Sequence, residues 1–321
     1  MCTGIRFTSA DGKMYFGHNL DWGEQFGQTV YVTPKGWEVK YQFLDAAPTK
    51  SAIIGTAITF EGFPLYFDCG NAEGLACAGL NFPGYAQYEA DAISGKTSIA
   101  AYEFPLWVCA NFATVDEVEA ALKNVAIVSK APSPQLGVSL LHWIIGDATR
   151  SIVVEYMPDG MHIHHNEVDV LTNQPTFDWH MENLRNYMNC APKYVPEVTW
   201  DAHKLVPFGG GANMRGIPGD YYSPSRFVKV AYLNANYPAQ DTEAKNVSRL
   251  FHTLGNVSMV EGASIMENGQ SEFTLYTGCY SAATQSYYFS TYEDATIRCA
   301  HLADYANASA DAVIEAELHT S

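Results

Sequence analysis

Short runs in which apolar and polar residues alternate dominate the first third of the chain, the period-two pattern of strands with one buried face. Ile5–Thr8 and Met14–Gly17 flank Ser9-Ala10-Asp11-Gly12, and Asp-Gly between such runs predicts a hairpin turn. Further strands are predicted at Thr29–Thr33, Val39–Phe43, Ala52–Phe60 and Leu75–Leu80. The pattern then becomes that of a helical pair. Its second member opens on a capping box, Thr114 with Glu117 three residues on, ahead of Val118, Ala121 and Leu122. Strands resume at Ser139–Gly146, Ser151–Tyr156 and Met161–His165, the last two joined by Pro158-Asp159-Gly160. Three helices are predicted next: Phe177–Tyr187, a second from a cap at Ser225 through Asn236, and a third from a cap at Asp241 to Gly255. The third keeps Val247, Leu250, Phe251 and Leu254 on one face. Strands return at Glu272–Cys279, Ser286–Thr291 and Thr296–Cys299. Val206–Pro224, rich in Gly and Pro, reads as a long loop, and loops of that length are often functional. No repeat, linker or low-complexity tract divides the chain, so the pattern predicts one α+β domain over residues 1–321, with antiparallel sheets covered by helices.

Composition narrows the function. Of 321 residues, 47% are hydrophobic and 17% charged, enough apolar material for a large core, and the 20 tyrosines favour strands and an aromatic-lined cavity. A formal net charge of −17 argues against nucleic acid and against anionic lipid surfaces as partners, both of which need clustered Lys and Arg. It also would not steer an anionic substrate, which must be held by local donors or apolar contact. No apolar run approaches the ~18 residues of a transmembrane helix. Met1-Cys2-Thr3-Gly4-Ile5-Arg6 lacks the features of a secretory signal, so the cytoplasm is the default compartment. The cysteines at 2, 69, 77, 109, 190, 279 and 299 form no C-x-x-C pair; neither a metal site nor a disulfide framework is predicted, and most should be small buried hydrophobes.

Cys2 carries the most chemistry. Removal of Met1 leaves a cysteine with a free α-amine, which titrates near ~8 and is suited to act as a base at neutral pH. One residue then supplies nucleophile and base together. By itself, a cysteine at position 2 is more often only a second residue; its neighbours change that.

Cys2-Thr3-Gly4 is followed by Tyr15-Phe16-Gly17-His18-Asn19-Leu20-Asp21-Trp22, Gly79-Leu80-Asn81-Phe82-Pro83-Gly84, Leu140-Leu141-His142-Trp143, Leu171-Thr172-Asn173-Gln174-Pro175-Thr176-Phe177, Pro218-Gly219-Asp220 and Ser225-Arg226-Phe227. At this spacing, over nearly the whole chain, the sequence resembles the choloylglycine hydrolase family of bile salt hydrolases and penicillin V acylases, and within it the bile salt hydrolases of gut actinobacteria. The resemblance implies an α+β, four-layer αββα N-terminal-nucleophile hydrolase fold, with two antiparallel sheets between helical layers. It implies that the Cys2 thiolate attacks the amide joining a bile acid to glycine or taurine, with no cofactor. Asp21 would hold the α-amine, Asn81 and Asn173 would donate to the oxyanion, and Arg226 would support the thiol. Leu20, Trp22, Phe26, Phe60, Leu136 and Leu141 would line a steroid pocket. A homotetramer is a further implication.

Read singly, these residues have plainer meanings: Asp21 a cap, Asn173 a turn former before Gln-Pro, Arg226 a surface helix residue, the apolar set ordinary core. The family usually has arginine where this chain has His18. A histidine there is shorter and mostly neutral near pH 7, and the expected consequence is weaker thiol activation, a more open pocket or a more pH-dependent activity. His162, His164 and His165 are the only histidine cluster. Strand alternation puts the first two on one face, and with no carboxylate or cysteine spacing to complete a metal site they read as a solvated strand face. Two rivals to bile salt hydrolysis follow: penicillin V hydrolysis by the same thiol, disfavoured by Asn81 where the penicillin-preferring branch tends to carry Tyr, and a non-catalytic binding protein, disfavoured by intact Cys2.

Overall fold

The computed structural model describes Met1–Ser321 throughout. In chain order the framework strands are β1 (Cys2–Thr8), β2 (Met14–Trp22), β3 (Thr29–Thr33), β4 (Ile53–Phe60), β5 (Phe63–Asn71), β6 (Ala76–Asn81), β7 (Leu141–Gly146), β8 (Ser151–Met157), β9 (Gly160–His165), β10 (Val170–Leu171), β11 (Phe273–Ser281), β12 (Ser286–Thr291), β13 (Arg298–His301), β14 (Ile314–Glu315) and β15 (His319–Thr320). The helices are α1 (Phe104–Asn111), α2 (Val115–Leu122), α3 (Phe177–Asn183), α4 (Ser223–Asn236) and α5 (Glu243–Gly255). One sheet has seven strands in the order β10-β1-β2-β11-β12-β13-β15; the other has eight, in the order β9-β8-β7-β6-β5-β4-β3-β14. Neighbouring strands in both are antiparallel.

Strand alternation divides the apolar residues between two cores. Ile54, Ile144 and Val153 enter a cluster of 36 buried residues that fills the space between the sheets and continues under α4 and α5. Their neighbours Ile53, Trp143, Ile145, Ile152 and Val154 enter a second cluster of 28, against α1 and α2. The eight-stranded sheet is therefore buried on both faces, which is why its strands read as continuous apolar runs. Helices outside two face-to-face antiparallel sheets make the expected α+β, four-layer arrangement.

Several local expectations need correction. Ser225 does not cap α4: the helix begins at Ser223 after Tyr222, and Pro224 fits its first turn because an N–H there has no intrahelical acceptor. The cap of α5 is Thr242, whose hydroxyl accepts from Lys245 N, while Asp241 instead accepts from Lys245 Nζ at 2.8 Å. Phe177–Tyr187 is helical in two parts, α3 and a 3₁₀ turn over Leu184–Tyr187. Of Val39–Phe43 only Val39 is in a strand, because Glu103 and Asn111 draw the next residues away, Glu103 through Gln42 N and Asn111 through the Tyr41 hydroxyl. At α2, Thr114 Oγ1 accepts from Glu117 N, but Glu117 reaches Ala113 N rather than that of Thr114.

Candidate active site

The β1–β2 hairpin places Cys2 opposite Leu20 and Gly4 opposite His18. Cys2 and His18 are therefore diagonal neighbours on one face, the face turned toward the second sheet. Such neighbours lie roughly 7 Å apart at the backbone, within reach of an imidazole. Glycine at both cross-strand positions beside His18, Gly4 on β1 and Gly278 on β11, makes the arrangement possible. A Cβ at Gly278 would sit 2.0 Å from the Tyr287 hydroxyl and 3.3 Å from Asp68 Oδ1.

His18 is fully buried, and its Nδ1 lies 2.9 Å from Asp68 Oδ2 and 3.2 Å from the Tyr276 hydroxyl. Asp68 reaches the inter-sheet space through a bulge: Thr56 pairs with Asp68 and Ala57 with Tyr66, leaving Phe67 unopposed, so Asp68 faces away from Tyr66. Burial by itself would lower the imidazole pKa; the Asp68 and Cys2 contacts outweigh it and raise it to about 10. Burial likewise opposes ionisation of the Cys2 thiol, yet its pKa is lowered, chiefly by His18 and further by the N-terminal charge. Against the expectation of a mostly neutral His18, the Asp68 carboxylate and the Cys2 thiol together favour its charged form.

On the other side of the hairpin, Arg226 is fully buried rather than on a helix surface. It donates from Nε to Tyr221 O (2.8 Å), from Nη1 to Cys2 O (2.5 Å) and Thr3 Oγ1 (2.6 Å), and from Nη2 to Asn173 Oδ1 (2.7 Å). The same Asn173 oxygen accepts from Cys2 N at 2.8 Å, and Asn173 Nδ2 donates to the carbonyl of Asn81 at 2.7 Å. Asp21 is fully buried: Oδ1 accepts from Thr274 Oγ1 at 2.6 Å, while Oδ2 has no hydrogen-bond partner and lies 3.9 Å from Arg226 Nη1. Burial raises the Asp21 pKa, and Arg226 counteracts it. With Met1 present, the terminal ammonium donates to Asp21 O at 2.5 Å and to Glu272.

Cys2 opens onto a cleft of ≈ 430 Å³, a size suited to a small amphipathic molecule. Leu20, Trp22, Phe26, Leu136 and Leu141 line it, as does Asn81. Phe60 does not: it pairs with Phe63 at the tip of the β4–β5 hairpin, and the wall residue is Ile58, two positions earlier on the same face. His162 and His164 share a face, their rings 6.2 Å apart and nearly parallel, but His164 is not simply solvated: it sits between Glu155 and Asp178.

Sequence reasoning missed the residues that hold the site. Asp68 and Thr274 support His18 and Asp21. Ser223 accepts from Asn173 N at 2.9 Å, His142 Nε2 donates to Thr172 O at 2.8 Å, and His180 Nε2 donates to Asn173 O at 3.0 Å. One signal was available: Asp68, His142 and Glu155 each interrupt an apolar strand, and a polar residue buried there needs a partner.

Residues 2–314 match the family described as linear amide C–N hydrolases, choloylglycine hydrolase family. The chain belongs to the choloylglycine hydrolase family. It is 54% identical over 306 residues to the bile salt hydrolase/transferase of Bifidobacterium longum, covering 95% of this chain and 96% of the relative. It is 44% identical over 306 residues to the conjugated bile acid hydrolase of Lactobacillus acidophilus, covering 95% and 97%. The fold matches the C2A mutant of the conjugated bile acid hydrolase from Clostridium perfringens with a TM-score of 0.90 at 36% identity, covering 100% of this chain and 97% of that one. A penicillin V acylase from Agrobacterium tumefaciens shares the fold at a TM-score of 0.75 and 20% identity, covering 97% and 90%. As a choloylglycine hydrolase, the chain is an enzyme that cleaves linear amide C–N bonds.

Proposed function

We propose that this choloylglycine hydrolase cleaves the amide of glycine- or taurine-conjugated bile salts, with Cys2 as nucleophile after removal of Met1. The observation that carries this reading is Cys2 at the wall of a largely apolar cleft while its backbone nitrogen rests on Asn173 Oδ1. The buried Asp21 carboxylate oxygen, with no hydrogen-bond partner of its own, supports the assignment of an α-amine site, because a buried charge without a partner is costly. The thiolate attacks the amide carbonyl and the π electrons move to oxygen. Asn81 and the second amide hydrogen of Asn173 stabilise that oxyanion, a contribution of about 2.7–4 kcal/mol per donor in comparable sites. The C–N bond breaks, the glycine or taurine nitrogen takes a proton from the α-ammonium, and water activated by the amine releases the bile acid from the thioester. Relatives named hydrolase/transferase suggest that an amine can take the place of that water. Purified enzyme should release glycine or taurine from conjugated bile salts; no release from either conjugate, by protein shown by intact mass to begin at Cys2, rejects the reading.

A homotetramer working in the cytoplasm completes the proposal. Its support is an exposed apolar arm, the Val198–Trp200 and His203–Leu205 hairpin with Tyr194, Val206 and Phe208. Contiguous exposed apolar surface commonly marks an interface. Light scattering that gives a monomer mass removes it.

A further inference from the structure

Four elements converge on His18: β1 brings the Cys2 thiol, β5 brings Asp68, β11 brings Tyr276, and β12 brings Tyr287, which donates to Asp68 Oδ1. Tyr276 donates to the other Asp68 oxygen at 2.5 Å, so the carboxylate has hydrogen-bonded neighbours on both oxygens and is fixed in direction. Burial and Asp68 push both phenols well above their ordinary range. On the far side of the ring, Nε2 is buried and has no partner in hydrogen-bond geometry. Cys2, the diagonal neighbour across the β1–β2 pair on the same face, brings its thiol to this side of the sheet. An imidazole held at one nitrogen by a carboxylate, its other nitrogen unpartnered and a thiol its diagonal neighbour on the same face, has the components of a nucleophile, a base and an orienting group.

We propose that Cys2, His18 and Asp68 form a proton-transfer triad inside this N-terminal-nucleophile site, with His18 as a catalytic residue and Asp68 as its positioning residue. The Cys2 S–H proton moves to His18 Nε2, the sulfur keeps the electron pair as thiolate, and the Nδ1 hydrogen stays on Asp68 Oδ2. The α-amine of mature Cys2 is then not needed to make the nucleophile. It serves the later protons, those of the departing nitrogen and the entering water. A permanently charged guanidinium at position 18 would supply the field but could not accept this proton.

The inference rests on the proposed role of Cys2, and it is tested on the thiol without substrate. Enzyme confirmed to begin at Cys2 is alkylated with iodoacetamide across about pH 5 to 8, the range in which an ordinary imidazole titrates and an ordinary thiol remains protonated. Wild type should react at a nearly constant rate. His18→Gln and Asp68→Asn should lose at least about tenfold at pH 6, tenfold for each unit by which the thiol rises, and regain rate only as the pH climbs. Overlaying profiles for wild type and both variants overturn the proposal. If either variant fails to fold, ¹⁵N-histidine spectra of wild type decide. Two protonated nitrogens on His18 at neutral pH, collapsing to a neutral ring when Cys2 is alkylated, support the triad; a neutral His18 in the unmodified enzyme overturns it. An enzyme with the reactive thiolate but no bile salt hydrolysis would sink the substrate assignment and leave the triad standing.

Discussion

Replacing Arg226 with methionine keeps an unbranched side chain of similar reach and removes every donor. Cys2 O, Thr3 Oγ1 and Tyr221 O each lose a charge-assisted hydrogen bond, Asn173 Oδ1 retains only Cys2 N, and buried Asp21 loses its cation 3.9 Å away. Removing one partner of a buried ion pair costs about 3–5 kcal/mol, because the other charge is left without compensation. Orphaned acceptors add to this, about 1–3 kcal/mol each when fully buried, though not additively within one network. A loss of about 5 kcal/mol is the working figure, and at about 2–4 °C per kcal/mol for a chain of this size the melting temperature should fall by about 10–20 °C. Calorimetry at pH 7 measures it. The network also predicts non-additivity: Asp21→Asn removes the carboxylate that Arg226 compensates, so Asp21→Asn/Arg226→Met should lose at least about 1 kcal/mol less than the two single losses together. A melting temperature within about 2 °C of wild type for Arg226→Met would refute the reasoning, since an arginine so bound cannot be removed without consequence.

Cys2→Ser should retain the wild-type melting temperature and lose nearly all amide hydrolysis, because serine is the far weaker nucleophile at the same amine; near-native turnover would remove Cys2 from its role. Gly278→Ala should disrupt the Tyr287 and Asp68 contacts, its added carbon lying 2.0 Å from the Tyr287 hydroxyl. A slowed iodoacetamide reaction with the fold retained is the expected result, and an unchanged rate would dissociate Asp68 from the thiol. His18→Arg should bring no gain in thiol reactivity near neutral pH, since the position is already charged; a clear gain would mean that His18 is neutral. His180 gives a pH dependence. Burial lowers its pKa to about 4 from an unfolded value of 6.5, with the hydrogen bond to Asn173 opposing the shift. The unfolded chain therefore binds the extra proton first, and stability held above 6.5 is lost as pH falls toward 4, by at most about 3 kcal/mol. In His180→Gln the fall in melting temperature between those two pH values should shrink, and an undiminished fall would exonerate His180.

The strand frame was legible because it is locally written. The Asp11-Gly12 turn, the apolar runs of β4, β7 and β8, and the Phe273–Ser281 segment all carry their signals within a few residues. The expected caps miss by three positions at α4, where Tyr222 rather than Ser225 precedes the helix, and by one at α5, where Asp241 and Thr242 are both competent caps and only tertiary context selects between them. Phe60 misled for a related reason: its face was right, but the β4–β5 turn comes too soon for it to reach the cleft. His18 was the larger miss. Its charge is set by Asp68, fifty positions away and reoriented by a bulge that no period in the sequence announces.

Asp68 belongs to one sheet and His18 to the other, so the imidazole acquires its carboxylate only when the two sheets have docked. A chain that is still folding, or one whose sandwich has opened, carries an ordinary, mostly protonated cysteine at its N-terminus. Such a thiol is slow to be oxidised or to form mixed disulfides, because those reactions also proceed through the thiolate. Closure of the sandwich is therefore an arming step: the protein stays chemically quiet until its architecture is complete, and damage that separates the sheets returns it to that quiet state.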